Sequence, residues 1–501
     1  MRDRACDGAL IILGAVACLG FSARADAQAI YYRSIPIGER AVGLGGAFTG
    51  VADDPSATYY NPAGIVRGGR FGLLGSFSSL VFSRRKISDA FTAPGQEETF
   101  TSKNSTSLPR FVGTTVKMGP KKFGDDHRFA VGYSTVEVAR NRTNVGVAQN
   151  NAAATLDLRV DSDYASRWYG ISFAAEATKR SSVGFTIFLS DQSLGYDENL
   201  GIATGGTFDA QTGTRIGGDS TTSSGEVRVS AYHFVPRLGW LHQIDSRWSV
   251  GVMLQTPGIP LKQKGKVLRR VTAADAGVDP VFFFFDEDKL KANMPVPFEL
   301  RAGVGFQATS DTLVSLDFSV TGPLKDQPLF SDSAALAPIN GELGVYLPSN
   351  TTRRWTPNFA VGAQHRFGKT VVAGGLFSNV SAAPSVPATS NQFVPAQVNL
   401  WGASVSVGLD TKGYRLTVGA NGMFGKGKAA AADFDDSANV VSYQRTGETA
   451  GALILYIAGA ISIATKTAAL VKEKRTSKRE QAPPEQADSP TGNGDAATRD
   501  P

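Results

Sequence analysis

Residues 248–255 read Trp248-Ser249-Val250-Gly251-Val252-Met253-Leu254-Gln255. Successive side chains of an extended chain point to opposite faces. Trp248, Val250, Val252 and Leu254 therefore share one face, and Ser249, Gly251 and Gln255 share the other. The pattern recurs along the chain. Phe298, Leu300, Ala302, Val304 and Phe306 alternate with Glu299, Arg301, Gly303, Gly305 and Gln307. Phe359, Val361 and Ala363 oppose Asn358, Gly362 and Gln364, while Tyr414, Leu416, Val418 and Ala420 oppose Arg415, Thr417, Gly419 and Asn421. Each segment has one apolar face and one polar or small face.

A soluble sandwich alternates in the same way, so spacing has to discriminate. Strands are expected near 70–83, 108–118, 127–139, 156–177, 183–194, 226–243, 247–257, 297–308, 312–321, 355–367, 370–380, 396–409, 413–425 and 450–464. Long connections are expected at 84–107, 140–155, 195–225, 258–296, 322–354, 381–395 and 426–449. Short ones include Ile244-Asp245-Ser246, Ser310-Asp311, Gly368-Lys369 and Asp410-Thr411-Lys412. Outer-membrane barrels pair short periplasmic turns with long external loops. Lipid satisfies no free N–H or C=O, so a sheet in a membrane must close on itself. Trp168, Trp240, Trp248, Phe367, Trp401 and Tyr414 at strand ends suit interfacial girdles. The spacing predicts an all-β fold, a transmembrane antiparallel β-barrel of about 14 strands spanning 70–464.

The ends of the chain agree with export. Arg2 and Arg4 precede an apolar run from Ala9 to Phe21, and Ala25-Asp26-Ala27 supplies a small-x-small cleavage pattern. Residues 1–27 read as a signal peptide. Cys6 and Cys18 both lie in it, which leaves a mature chain without disulfides. The apolar run 450–464 is too short for a membrane helix and reads as the last strand. The net charge of +6 is weighted towards Lys466, Lys472, Lys474, Arg475, Lys478 and Arg479, and no basic patch suggests nucleic acid. Residues 465–501, rich in Lys, Glu, Pro, Ala and Gly, read as a disordered tail, periplasmic for an even strand number.

Between signal and barrel, residues 28–69 show neither strand nor helix periodicity. Their core is Gly38-Glu39-Arg40-Ala41-Val42-Gly43-Leu44-Gly45-Gly46-Ala47-Phe48, then Ala52-Asp53-Asp54-Pro55-Ser56-Ala57-Thr58-Tyr59-Tyr60-Asn61-Pro62-Ala63-Gly64. Gly43, Gly45 and Gly46 permit tight turns and close approach, and the Asp-Pro and Asn-Pro steps favour turns. Irregular backbone is tolerated at membrane depth where protein surrounds it, so this stretch suits a barrel lumen. Gly43, Gly45 and Gly46 do not complete a dinucleotide fingerprint, and no phosphate-loop lysine follows.

This stretch resembles the N-terminal signature of the FadL/TodX family of hydrophobic-compound channels, and Trp248 to Gly258 and Pro297 to Gly303 look like family segments. The resemblance implies a hatch over 28–69 inside a fourteen-stranded barrel, with Asn61, Pro62 and Ala63 as its Asn-Pro-Ala motif and Gly64 beside them. It implies passive uptake of long-chain fatty acids or hydrocarbons across the bacterial outer membrane by a monomer in contact with outer-membrane lipid, gated by that hatch. A similar start occurs in PorV-like barrels of protein secretion, so a secretion partner or shuttle is the alternative.

Phe282, Phe283, Phe284 and Phe285 fall in the expected connection 258–296. Four aromatics are costly to leave in water, at about 25 cal/mol per Å2 of apolar surface. They are the candidate substrate-binding residues, by analogy with the family's external capture groove. His127, His233, His242 and His365 show no zinc-ligand spacing, and no GxSxG nucleophile elbow is present. The reading is therefore not an enzyme, with no cofactor and no metal.

Overall fold

The computed structural model describes residues 31–461, apart from 33–35, 70, 94–95, 109, 119–127, 151–153, 213, 275–278, 325–326, 341–342, 412 and 435–439. The expected signal peptide, the expected C-terminal tail and His127 lie outside the described residues.

Alternation becomes a closed ring. The strands are β1 (Phe71–Ala93), β2 (Gln96–Leu108 and Phe111–Met118), β3 (Phe129–Asn150), β4 (Ala154–Glu176), β5 (Ser181–Thr204), β6 (Asp219–Gln243) and β7 (Trp248–Gln255 and Ile259–Ala274). They continue as β8 (Val281–Leu290 and Glu299–Gln307), β9 (Thr312–Thr321), β10 (Thr356–Phe367), β11 (Thr370–Asn379), β12 (Leu400–Thr411), β13 (Tyr414–Phe434) and β14 (Val440–Ile461). Each pairs antiparallel with the next, and β14 returns to β1 through a register running from Leu73↔Ile461 to Ile87↔Glu448. Closure pairs the two strands that would otherwise be edges. At that seam Arg85 Nη2 donates to Glu448 Oε2 at 2.9 Å, both side chains buried.

The two faces are inverted relative to a soluble protein. Ile171, Leu238, Leu316, Phe318, Leu376, Trp401 and Phe424 are exposed on the outside. Ser172, Thr186, Arg237, Arg301, Asp317 and Thr417 are buried on the inside. Water-exposed sheets do the opposite, whereas a barrel with lipid outside and a filled lumen needs this arrangement. Among the described residues no helix is long and apolar enough to cross a membrane, which says nothing about strands.

The turns expected at Ile244-Asp245-Ser246, Ser310-Asp311 and Gly368-Lys369 occur where the sequence places them, whereas Asp410 and Thr411 belong to β12 and Lys412 lies outside the described residues. Asp245 Oδ1 accepts from Arg247 N at 2.7 Å and Trp248 N at 2.8 Å, closing the β6–β7 turn. Gly368 takes φ +60° between β10 and β11.

The long connections need correction. Residues expected as loops at 84–107, 140–155, 195–225, 258–296 and 426–449 are largely strand, because the hairpins run on beyond the apolar belt. Strands of 22 to 25 residues, as in β3 and β6, far exceed the 9–11 or so that cross a bilayer. Apart from the outward Phe282 and Phe284, these extensions are mainly polar outside and apolar inside, so they lack the membrane-strand signature and read as loops. Among the described residues, 322–355 and 380–399 stay mainly irregular. Strand β7 is broken at Thr256-Pro257-Gly258, and β8 over 291–298, which holds Pro295 and Pro297. Proline donates nothing to a ladder.

Candidate functional site: the filled lumen and the cavity above it

The segment 36–69 is packed against the inner faces of strands around the ring. It forms two short helices, α1 (Glu39–Gly43) and α2 (Ala57–Tyr60), and a 3-10 turn (Pro62–Val66). The small residues on the inner strand faces are where its backbone docks. A Cβ on Gly251 would lie 2.2 Å from the Thr49 carbonyl oxygen, and one on Gly303 would lie 2.7 Å from Gly50 N. A Cβ on Gly375 would lie 2.4 Å from the Leu44 carbonyl carbon. Side chains at these wall positions would expel the segment.

The predicted hatch residues divide by role. Gly43 carbonyl accepts from Ser404 Oγ at 3.0 Å, and a Cβ there would meet Ser406 Oγ at 2.4 Å. Gly45 and Gly46 take φ +65° and +91°, the left-handed region that favours glycine. Asn61 is fully buried and pins three places. Its Nδ2 donates to the Thr49 and Trp240 carbonyls at 3.0 Å each, and its Oδ1 accepts from Ala63 N at 3.2 Å. Pro62 lies against Gly184 of β5, and Gly64 passes so close to Ala52 that a Cβ would lie 2.1 Å from its carbonyl oxygen.

Sequence reasoning missed the polar centre beneath α2. Arg237 of β6 sits with its guanidinium carbon 4.1 Å from the Tyr59 ring centroid and 5.0 Å from that of Trp168. Its Nη1 donates to the Tyr59 carbonyl, and Gln255 Oε1 accepts from Nη2 at 2.7 Å and from Nε at 3.0 Å. Arg301 of β8 lies 4.8 Å from the Tyr60 ring centroid and donates to Glu299 Oε1 at 2.9 Å. Asp317 of β9 accepts from Thr49 N at 2.9 Å and Thr49 Oγ1 at 2.5 Å. The available signal was Glu299 and Arg301 on the small, inner face of an alternating strand.

Towards the short turns, burial pushes the Glu39 carboxyl above its ordinary range, opposed by Arg415 and by a hydrogen bond from Thr417. Burial likewise raises Asp54, reinforced by Asp53.

A cavity lies on the opposite side of the segment. Tyr31 and Tyr32 line it from the leading segment, Tyr164, Trp168 and Leu194 from the wall, and Met294 to Pro297 from the β8 interruption. Leu324, Leu329 and Arg353 of the β9–β10 connection complete it. Its few polar groups are tied together, since Tyr164 Oη donates to Gln192 Oε1 at 3.0 Å and Gln192 Nε2 donates to the Met294 carbonyl at 3.2 Å. An apolar hollow with a small number of fixed polar groups is the usual form of a small-molecule site.

The 322–355 connection folds inward over the mouth as a cap. Leu329, Phe330, Leu336, Leu343, Val345 and Leu347 are buried against the inner faces of the long hairpins. Val345 N donates to Glu198 Oε2 at 2.8 Å, Tyr443 Oη donates to the Val345 carbonyl at 2.7 Å, and Tyr346 Oη donates to the Ala90 carbonyl at 3.0 Å. Strands β5, β14 and β1 are thereby bridged.

Phe282 to Phe285 lie on strand β8, not in a loop. Pairing of Phe282 with Thr272 through Phe285 with Arg269 makes them alternate. Phe283 and Phe285 turn inward against the core, whereas Phe282 and Phe284 are 74% and 62% exposed. They are not brought to the cavity. Among the described residues no three His, Cys, Asp or Glu side chains gather as a metal site. His242 and His365 make hydrogen bonds with Ser181 and Thr312, and His233 is buried near Gln192.

No family model matches the sequence, and no curated protein matches it either. Solved structures do. A Pseudomonas aeruginosa FadL homologue superposes with TM-score 0.57 at 14% identity, covering 86% of this chain and 99% of its own. The P. putida toluene transporter TodX gives TM-score 0.57 at 13% identity, over 85% and 99% of the two chains. The CymD monoaromatic hydrocarbon channel gives 0.51 at 15%, over 85% and 98%. Identity at this level speaks to architecture, and on that architecture the chain has the fold of the FadL/TodX channels.

Proposed function

We propose that this protein is a bacterial outer-membrane channel for passive uptake of hydrophobic small molecules, and that the segment 28–69 is its hatch. The observation that carries this reading is the apolar cavity of Tyr164, Trp168, Leu194, Met294 and Val296, set between cap and leading segment inside a barrel with an apolar exterior. An apolar solute is slow to cross the polar surface of an outer membrane. Cap and cavity would offer it a dry waypoint, and displacement of the hatch would connect that waypoint to the far side. Trp168 lines the cavity and also packs against Arg237, so occupancy can be felt where the hatch is anchored. Exposed Phe282 and Phe284 are proposed to collect solute outside the mouth.

The test is uptake of radiolabelled toluene and of a labelled long-chain fatty acid by a deletion strain and its complemented parent. Complementation should restore uptake of at least one. Unchanged uptake of both, with loss of secreted proteins, would replace this reading with that of a secretion partner.

A further inference from the structure

The outer surface of β6 and β7 changes character sharply at one level. Going up β6 from Trp240, the outward residues are Leu238, Pro236 and Phe234, then Tyr232, Ser230 and Arg228. The stretch from Trp240 to Tyr232 approaches the span of a bilayer strand, so Tyr232 sits at the external rim of the apolar belt. Directly alongside, the register pairs Lys262 with Tyr232, Lys264 with Ser230 and Lys266 with Arg228. Gly265 between Lys264 and Lys266, and Val267 after them, face inward, so the three lysines share the outer face. Alternate residues stand about 7 Å apart along a strand.

Some of this charge is matched locally. Lys266 lies 3.7 Å from Asp286, and Arg228 pairs with Asp197 and Glu226. Lys262 and Lys264 have no carboxylate within ion-pair distance among the described residues, and both are exposed. The row beyond Lys264 is small and hydroxylated, since Ser230 pairs in turn with Ser193 of β5. Beneath lie exposed Phe234, Leu238, Leu254, Ile259 and Leu261. Two uncompensated ammonium groups beside the Ser230 hydroxyl, with an apolar wall below, match an amphiphile with anionic phosphate above and acyl chains beneath.

We propose that Lys262 and Lys264 of β7, with Ser230 of β6, seat a phosphate of a phosphorylated outer-leaflet glycolipid whose chains lie along Phe234, Leu238 and Leu261. The proposal rests on the outer-membrane reading above. Each lysine near an anionic lipid surface contributes about fivefold in affinity, so the pair contributes about 25-fold.

The test uses the full-length mature protein in nanodiscs of phosphatidylcholine doped with diphosphoryl lipid A, or with lipid A whose phosphates have been removed. Native mass spectrometry counts retained lipid, and a lipid titration followed by thermal shift gives affinity. Wild type should hold a lipid A adduct that survives excess inorganic phosphate, and Lys262→Gln/Lys264→Gln should weaken it by about 25-fold. Lys369→Gln, in the turn at the opposite end, should leave it unchanged. Equal retention by the double variant, equal binding of dephosphorylated lipid A, or displacement by free phosphate would each overturn the seat. Failure of wild type to insert in pure phosphatidylcholine nanodiscs would overturn the membrane reading itself, and is scored separately by flotation.

Discussion

The Arg237 guanidinium stacks on the Tyr59 ring at 4.1 Å and donates to the Tyr59 carbonyl, so one wall residue holds both side chain and backbone of the leading segment. The same group has no water to donate to instead, because it is buried. Arg237→Ala should therefore loosen the segment while leaving the barrel ladders paired. Removing one member of a buried charged network costs about 3–5 kcal/mol. Limited proteolysis should cut the leading segment faster, with the barrel core protected. Arg237→Lys should rescue poorly, since an ammonium cannot reproduce the planar stack.

Backbone contact at the wall glycines makes a sharper test. Gly251→Val puts a side chain where the Thr49 carbonyl lies, and should raise conductance across a planar bilayer by undocking the segment. Gly422→Ala, where nothing lies within 4 Å, should leave conductance at the wild-type value. If both behave alike, the segment does not occlude the lumen.

The cap is latched by hydrogen bonds to β1, β5 and β14. Tyr443→Phe removes the donation to the Val345 carbonyl at a net cost of about 1 kcal/mol. Hydrogen exchange at Val345 and Tyr346 should quicken about fivefold, as that cost implies. Uptake should rise if cap opening limits entry.

Phe282 and Phe284 are expected to act together outside the mouth. Phe282→Ser/Phe284→Ser should lower uptake at low solute concentration and leave it unchanged at saturation. The inward pair Phe283 and Phe285 should behave differently, with Phe285→Ser lowering stability by about 1–2 kcal/mol, because the ring is partly buried against the core. Normal uptake by a folded outward double variant would remove those residues from the path.

Glu39 and Asp54 impose a pH dependence on the leading segment. Burial raises both carboxyls when the segment is docked, so the docked state binds more protons than the undocked one. Docking is then strongest below the ordinary carboxylate range and weakens as pH rises from there through the raised values. Proteolysis of the segment should accelerate with increasing pH across that window. Glu39→Gln should flatten much of the response.

Much of the architecture was legible locally. Period-two alternation in segments such as 248–255 and 299–307 states which face is apolar, and a strand needs only its own residues to state it. Glycines 251, 303 and 362 on the opposite face were visible as small, and the structure supplies the reason, which is a backbone lying against them. The unpaired stretch before the barrel was legible as irregular and turn-rich. By contrast, the hairpin extensions read as loops because their polar side faces out, reversing the membrane pattern.

What the chain alone determined, then, was a local property: which residues can share a face, and where turns interrupt them. Tertiary structure decided which partners meet across the lumen. Arg237 and Tyr59 are 178 residues apart, and Asp317 and Thr49 are 268 apart. Tyr443 and Val345 join only once closure brings the long hairpins round the cap. Ladder register and ring closure set these distances, and both depend on pairing between segments that no local pattern encodes.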